Sequence, residues 1–271
     1  MRRTLAHAFS EKAMREQETL IMQHVDLLIQ RLHENAGPKP LDIGMWLNFT
    51  TFDLIGDLAF GEPFECLEKS VYNPWVYSVL STTRGSVFMS ASKRFPPFEP
   101  ILKHFIPKGL LAKRQDHVKQ TQHMLARRLA TETDRHDFLS YILRHSGKDS
   151  GMSQLEMLTT STLLVRAGSE STATLLTGAT FFLMQNPHVL KTLTAEIRNT
   201  FANESEINLI SVNSLKYQLA VLDETLRMYP PVPTGLPRRV PGDGAMISGH
   251  WVAGGVSSIY LLYYKHLANS F

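Results

Sequence analysis

Apolar residues recur at three- and four-residue intervals along most of this chain, the spacing of helices that bury one face. Residues 2–8 read as a short helix, and Ser10 stands where it can cap a second one. In that second helix Ile21, Val25, Leu28, Ile29 and Leu32 share a face. Asn35 to Pro40 is a loop. Trp46, Phe49, Phe52, Ile55, Leu58 and Phe60 mark a third helix from Leu41 to Phe60, which Gly61-Glu-Pro63 ends. Residues 74–87 are weakly helical in pattern, and Phe95 to Pro100 form an aromatic, proline-rich loop. Lys108 opens a helix to about Glu132, on which Lys113, Arg114, Lys119, Arg127 and Arg128 suggest a solvated face. Asp137 caps a short helix from Phe138 to Leu143.

One pattern is longer than the rest. Ser153-Gln-Leu-Glu156 has the form of a capping box, and Asn186-Pro187 closes the segment. The enclosed helix has ~33 residues and spans roughly 50 Å. Arg166 and Glu170 interrupt its apolar run, so it is not a membrane span. Its length predicts a helix buried at the centre of the domain. At its middle, Ala167-Gly168 makes a notch, followed by Glu170, Ser171, Thr172 and Thr174. Small residues here suit a helix crossing. They also suit a flat ligand laid against the notch, beside an acid–alcohol pair able to move a proton. Hydroxyls in such a run can bond the carbonyl one turn back and bend the helix.

Further helices are predicted over Val189–Phe201, where Asn186 and Pro187 form the start signal, and over Leu215–Met228, with Ser211 capping a turn between them. Tyr229-Pro-Pro-Val-Pro233 breaks the last helix. Glycines then punctuate short segments, and Met246-Ile247 with His250-Trp-Val252 reads as a hairpin. Residues 256–264 fit a strand or a helix equally. The reading is therefore mainly α, with a small β region near the C-terminus, in one domain over residues 1–271.

The 271 residues carry a net charge of +3, too mild for a nucleic-acid-binding surface. A single cysteine, Cys66, excludes an internal disulfide. Asp53 and Asp57, one turn apart, lack a second carboxylate cluster, which favours solvated or capping roles over catalysis. His7, His24, His33 and His188 are scattered, as surface or cap residues are. No phosphate loop, zinc helix or nucleophile elbow is present, and no metal-ligand set is readable. Glu224-Thr-Leu-Arg227 places an acid and a guanidinium on one helix face. Their apolar neighbours Leu219, Leu222 and Leu226 predict a buried pair.

Together these residues resemble the cytochromes P450, heme-thiolate monooxygenases, and most closely the fungal microsomal type. Ala167-Gly-Ser-Glu-Ser-Thr172 is similar to the family's [AG]-G-x-[DE]-[TS]-[TS] in the long helix over the distal heme face. Glu224-Thr-Leu-Arg227 matches its E-x-x-R, and Pro230-Pro-Val-Pro233 the proline-rich turn that follows. Leu236-Pro-Arg238 resembles the segment whose Arg meets a heme propionate, and Gly249 to Gly255 the next hairpin. Arg2-Arg-Thr-Leu-Ala-His-Ala-Phe-Ser10 resembles the helix carrying W-x-x-x-R, with Arg2 at its Arg.

The resemblance implies a cytochrome P450-like fold and heme as cofactor. It implies insertion of one oxygen atom from O2 into an apolar small molecule, in fungal secondary metabolism, with electrons from a flavoprotein reductase. Ala167 and Gly168 would face the heme, and Arg2 and Arg238 would bind its propionates. Glu170 and Ser171 would relay protons, Glu224 and Arg227 would hold the core, and Thr234, Gly235 and Leu236 would line the substrate pocket. Ser171 stands where Thr is commoner. The family's membrane anchor would precede Met1, and its F-x-x-G-x-R-x-C-x-G loop, which supplies the axial thiolate, would follow Phe271. The expectation is thus an internal fragment incomplete at both ends, cytoplasmic where the full-length family sits at the endoplasmic reticulum membrane. The alternative is a catalytically inactive helical remnant or interaction protein.

Overall fold

Side-chain caps start the first two helices, one at the predicted Ser10 and one at Asp42, which the sequence pattern did not single out. Helix α1 (Glu11–Asn35) begins at Ser10, whose Oγ accepts from the Ala13 N–H at 3.3 Å. Helix α2 (Ile43–Phe60) begins at Asp42, which accepts from the Met45 N–H at 3.1 Å. It stops at Gly61, held at φ 75°, a left-handed conformation that glycine adopts without strain. Then come α3 (Cys66–Lys69), α4 (Lys108–Ala130), α5 (Phe138–Leu143), α6 (Gln154–Gln185), α7 (Pro187–Thr200) and α8 (Lys216–Met228). Residues 74–80 are also helical. The computed structural model describes residues 6–80, 108–131, 137–143, 152–233 and 237–259, with residues 97 and 135. The predicted loop at Phe95–Pro100 lies outside them apart from residue 97. No helix among the described residues is long and apolar enough to cross a membrane.

The chain divides into two compact units, Met1–Ala173 with Asn203–Val212 and Thr174–Ala202 with Asn213–Phe271. In the first, the buried central helix is α2, not α6. Trp46, Phe49, Phe52, Ile55, Leu58, Ala59 and Phe60 are all buried, so α2 is covered all round. It touches α1, α3, α4 and α5. The rings of Phe64 and Trp75 stack at 4.5 Å beside it. Helix α6 buries only one face: Met157, Ser161, Val165, Ser169 and Ala173 recur every four residues and are buried. Leu155, Leu163, Phe181 and Met184 lie exposed, which corrects the expectation of a wholly buried long helix.

Burying α2 takes two carboxylates into the core. Asp53 accepts from the Cys66 and Leu67 N–H groups at 3.0 and 2.7 Å, and so caps α3. Burial pushes its carboxyl up, against the opposing pull of those amides. Asp57 meets His24 Nε2 at 3.2 Å and also the Arg135 guanidinium. Both aspartates and His24 are therefore buried rather than solvated, though capping holds for Asp53. Arg128 is likewise no part of a solvated face. Its Nε and Nη2 donate to both Asp137 oxygens at 2.9 and 3.1 Å, and Nη2 also reaches Ser140 Oγ at 2.9 Å. Asp137 Oδ1 in turn accepts from the Ser140 N–H at 2.7 Å, the predicted cap of α5.

In the second unit, Glu196 of α7 accepts from the Tyr217 and Gln218 N–H groups at 2.8 and 2.9 Å, where α8 starts. Asn186 does not cap α7; its amide donates back to the Phe182 carbonyl at 2.9 Å and closes α6 instead. Strands β2 (Ala245–Ile247) and β3 (His250–Val252) pair antiparallel as predicted, through Ser248 and Gly249, both at positive φ. Strand β1 (Pro237–Arg239) pairs with β4 (Ser257–Ile259). A strand therefore opens the ambiguous segment after Val256.

Two predictions follow from these cores. Arg128→Ala leaves the Asp137 carboxylate buried without its bidentate partner and should cost about 3–5 kcal/mol, read as a lowered denaturant midpoint. An unchanged midpoint contradicts the pairing. Burial pushes the Cys66 thiol up to about 12, and the nearby Asp53 charge adds to the rise against the Asn73 N–H at Sγ. A raised thiol pKa stabilises the fold fully below the unfolded value near 9.0, and that stability is lost as pH rises from there toward about 12. Cys66 should thus ignore a disulfide reagent at pH 8 until denaturant opens the core. Labelling with native circular dichroism intact would overturn this.

Candidate functional site

The capping box at the start of α6 forms as predicted. The Glu156 N–H donates to Ser153 Oγ at 3.3 Å, and Glu156 accepts from the Ser153 N–H at 2.8 Å. Further along the helix, the A-G-x-E-S-T turn that begins at Ala167 divides its residues between two faces, because consecutive residues of a helix point about 100° apart. Ala167 is exposed. Gly168 faces α2: a Cβ there would lie 2.9 Å from Ile55 Cδ1, so the missing side chain is what admits Ile55. At Gly168 the notch is a helix crossing rather than open space for a flat ligand. Ser169, overlooked in the sequence, is fully buried and donates to the Val165 carbonyl at 2.6 Å.

Glu170 and Ser171 stand three and four residues after Ala167, hence on its face. Both are half-buried. The Ser171 hydroxyl donates to the Ala167 carbonyl one turn back. This fixes its proton inward and leaves its lone pairs directed away from the backbone. Leu163, one turn before Ala167, extends the exposed strip with an apolar side chain. The strip thus carries an apolar surface, an acid and an oriented hydroxyl within two turns. That arrangement can hold an apolar molecule and pass a proton along its edge.

The other candidates lie in the second unit. Arg227 Nε and Nη2 donate to the two Glu224 oxygens at 2.7 and 2.6 Å, a bidentate fork. The guanidinium holds the Glu224 carboxyl below its usual range. The pair is not buried: the Glu224 side chain is 59% exposed, and Leu219 and Leu226 beside it are exposed too. Thr225 alone on that turn is buried, against the face that Gly178 presents. The expected core anchor is therefore a surface pair among the described residues. Arg238 lies exposed on β1. Arg2, Thr234, Gly235 and Leu236 fall outside the described residues.

No group of three or more His, Cys, Asp or Glu among the described residues could hold a metal ion. Cys66 is fully buried, with its thiol neutral, and does not suit an iron ligand. Sequence reasoning missed the His24–Asp57–Arg135 and Arg128–Asp137 groups. The signal was present: His24 stands midway between Leu20 and Leu28, which pack on the core, and Arg128 continues the Thr121, Met124, Leu125 stripe.

Because the Glu224–Arg227 pair is solvated, Glu224→Ala should shift stability by only about 0.5 kcal/mol. A denaturation curve displaced by several times that amount would restore the buried reading.

The comparisons agree with this architecture. The family model for cytochrome P450 matches residues 1–269. A Talaromyces wortmannii protein, cytochrome P450 monooxygenase astA, is 47% identical over 94% of this chain and 51% of its own length. The trichothecene C-15 hydroxylase of Fusarium sporotrichioides is 44% identical over 93% of this chain and 52% of its own. The averantin hydroxylase of Dothistroma septosporum is 44% identical, covering 94% and 49%. The crystal structure of the cytochrome P450DA heme domain superposes with a TM-score of 0.77 at 19% identity, over 97% of this chain and 56% of that one, a likeness of fold. The chain spans about half the length of the curated relatives it matches. On the family match across nearly its whole length, the chain belongs to the cytochrome P450 family.

Proposed function

We propose that this chain provides the distal, substrate-facing wall of a heme-dependent monooxygenase that inserts one oxygen atom from O2 into an apolar small molecule of fungal secondary metabolism. The observation that carries the reading is the α6 strip, where Leu163, Ala167, Glu170 and Ser171 share a face in the turn that bears the family's motif. Relatives named as hydroxylases of trichothecene and averantin support the substrate class. A flavoprotein reductase as electron donor follows from family membership alone.

In the first unit, Ala167 and Leu163 offer an apolar surface that fits one face of a heme. A propionate-binding role for Arg238, in the second unit, follows from family membership alone. Nothing among the described residues fits the iron as a ligand, since Cys66 is buried and protonated. When bound, the heme supplies oxygen activation. Around it, the chain's own residues exclude water with the apolar strip and move protons at its edge. Glu170 collects a proton at the half-exposed side of the helix. Ser171 would take that proton at a lone pair and, by turning its O–H away from the Ala167 carbonyl, give up its own proton on the ligand side. Gly168 acts indirectly, by letting α6 sit close to Ile55 and so fixing the strip.

In the heme-loaded protein, Ser171→Ala should lower product formed per electron pair by about tenfold, with peroxide rising in its place, while Ser171→Thr keeps coupling. Coupling equal to the parent in Ser171→Ala removes this hydroxyl from the relay.

A further inference from the structure

Away from α6, the first unit holds a cleft of about 600 Å³ between α4 and the segment that links α2 to residue 75. That volume suits a small organic ligand. Its floor is apolar: Phe64, Trp75 and Met124 are buried there, and the two rings stack at 4.5 Å. Its rim carries charge, but the charges are not equally free. Glu62 is paired with Arg127, and Glu65 with Lys69. Lys119 and His123, one turn apart on α4, line the same cleft and pair with no other residue among the described ones. Asn73 fixes the opposite lip, donating from its side chain to the Phe64 carbonyl at 3.1 Å.

We propose that this cleft binds an amphipathic carboxylate, with an apolar ring body over Phe64, Trp75 and Met124 and the acid group at Lys119 and His123. With Glu62 and Glu65 already paired and Lys119 unpaired among the described residues, the rim favours an anion. The buried ring and thioether surfaces select an apolar body over a hydrophilic acid. The site lies on the side of α4 served by Met124, involves no residue of the α6 strip, and does not depend on heme.

The probe is 2-naphthoate, titrated calorimetrically into the 271-residue chain, with the uncharged 2-naphthylmethanol in parallel. The acid is expected to bind, and the alcohol about fivefold more weakly or less. Lys119→Glu, at an exposed position, should weaken the acid by about fivefold or more without altering circular dichroism. The control Arg198→Glu, exposed in the second unit, should leave its affinity unchanged. No heat with millimolar naphthoate overturns the proposal. So does equal binding of acid and alcohol, or an equal loss in both charge variants, which marks unspecific attraction.

Discussion

A carboxylate in an apolar core must find donors or lose its charge, and α2 takes two of them there. Because this helix is covered on every side, Asp53 and Asp57 cannot turn to solvent. Their needs dictate the local architecture. Asp53 draws the first amides of α3 to itself, and so sets where the chain turns after Gly61. Asp57 binds His24 from α1 and Arg135 from beyond α4. Two side chains one turn apart thus tie three separate stretches to one helix. The Arg128–Asp137 fork repeats the solution, and Gly61 leaves the space it needs: a Cβ there would lie 2.9 Å from Arg128 Cδ.

Local signals carried most of the helical layout. Ser10, Asp137 and Ser153 each cap the helix that follows them, because a cap is chemistry among near neighbours in sequence. The hairpin of β2 and β3 was readable for the same reason. Long-range pairing was not. Asp57 meets His24 across 33 residues; the stripe of Leu20, His24 and Leu28 turns His24 inward but does not name its partner. Length misled as well: α6 was expected at the centre, yet the shorter α2 has the all-round apolar surface that burial demands. For the site, the motif located Ala167, Glu170 and Ser171 on one exposed strip. It did not reveal that Gly168 turns the other way, which depends on Ile55 more than a hundred residues earlier. The leucines around Glu224 and Arg227 misled in a different manner: Leu219 and Leu226 are exposed themselves, and Leu222 is only half-buried.

One turn of α6 therefore serves two purposes at once. Its inner face fixes the helix to α2 through a residue without a side chain, and its outer face offers the chemistry. The hydroxyls follow the same division. Ser169 bonds inward within the core and Ser171 bonds along the exposed side, each to the carbonyl one turn back. Thr159, Thr162 and Thr180 repeat this bond along α6, and hydroxyls bonded this way tend to bend a helix.

Glu196 carries a consequence for the order of assembly. Its carboxylate caps the start of α8 from only 21 and 22 residues away, and Leu193 of α7 and Leu215 just before α8 are buried. Closing so short a loop costs little chain entropy. The α7–α8 hairpin can consequently form early and locally as the chain leaves the ribosome. The contacts of Tyr229 and Thr225 with Gly178, which span far more sequence, then close onto an existing template.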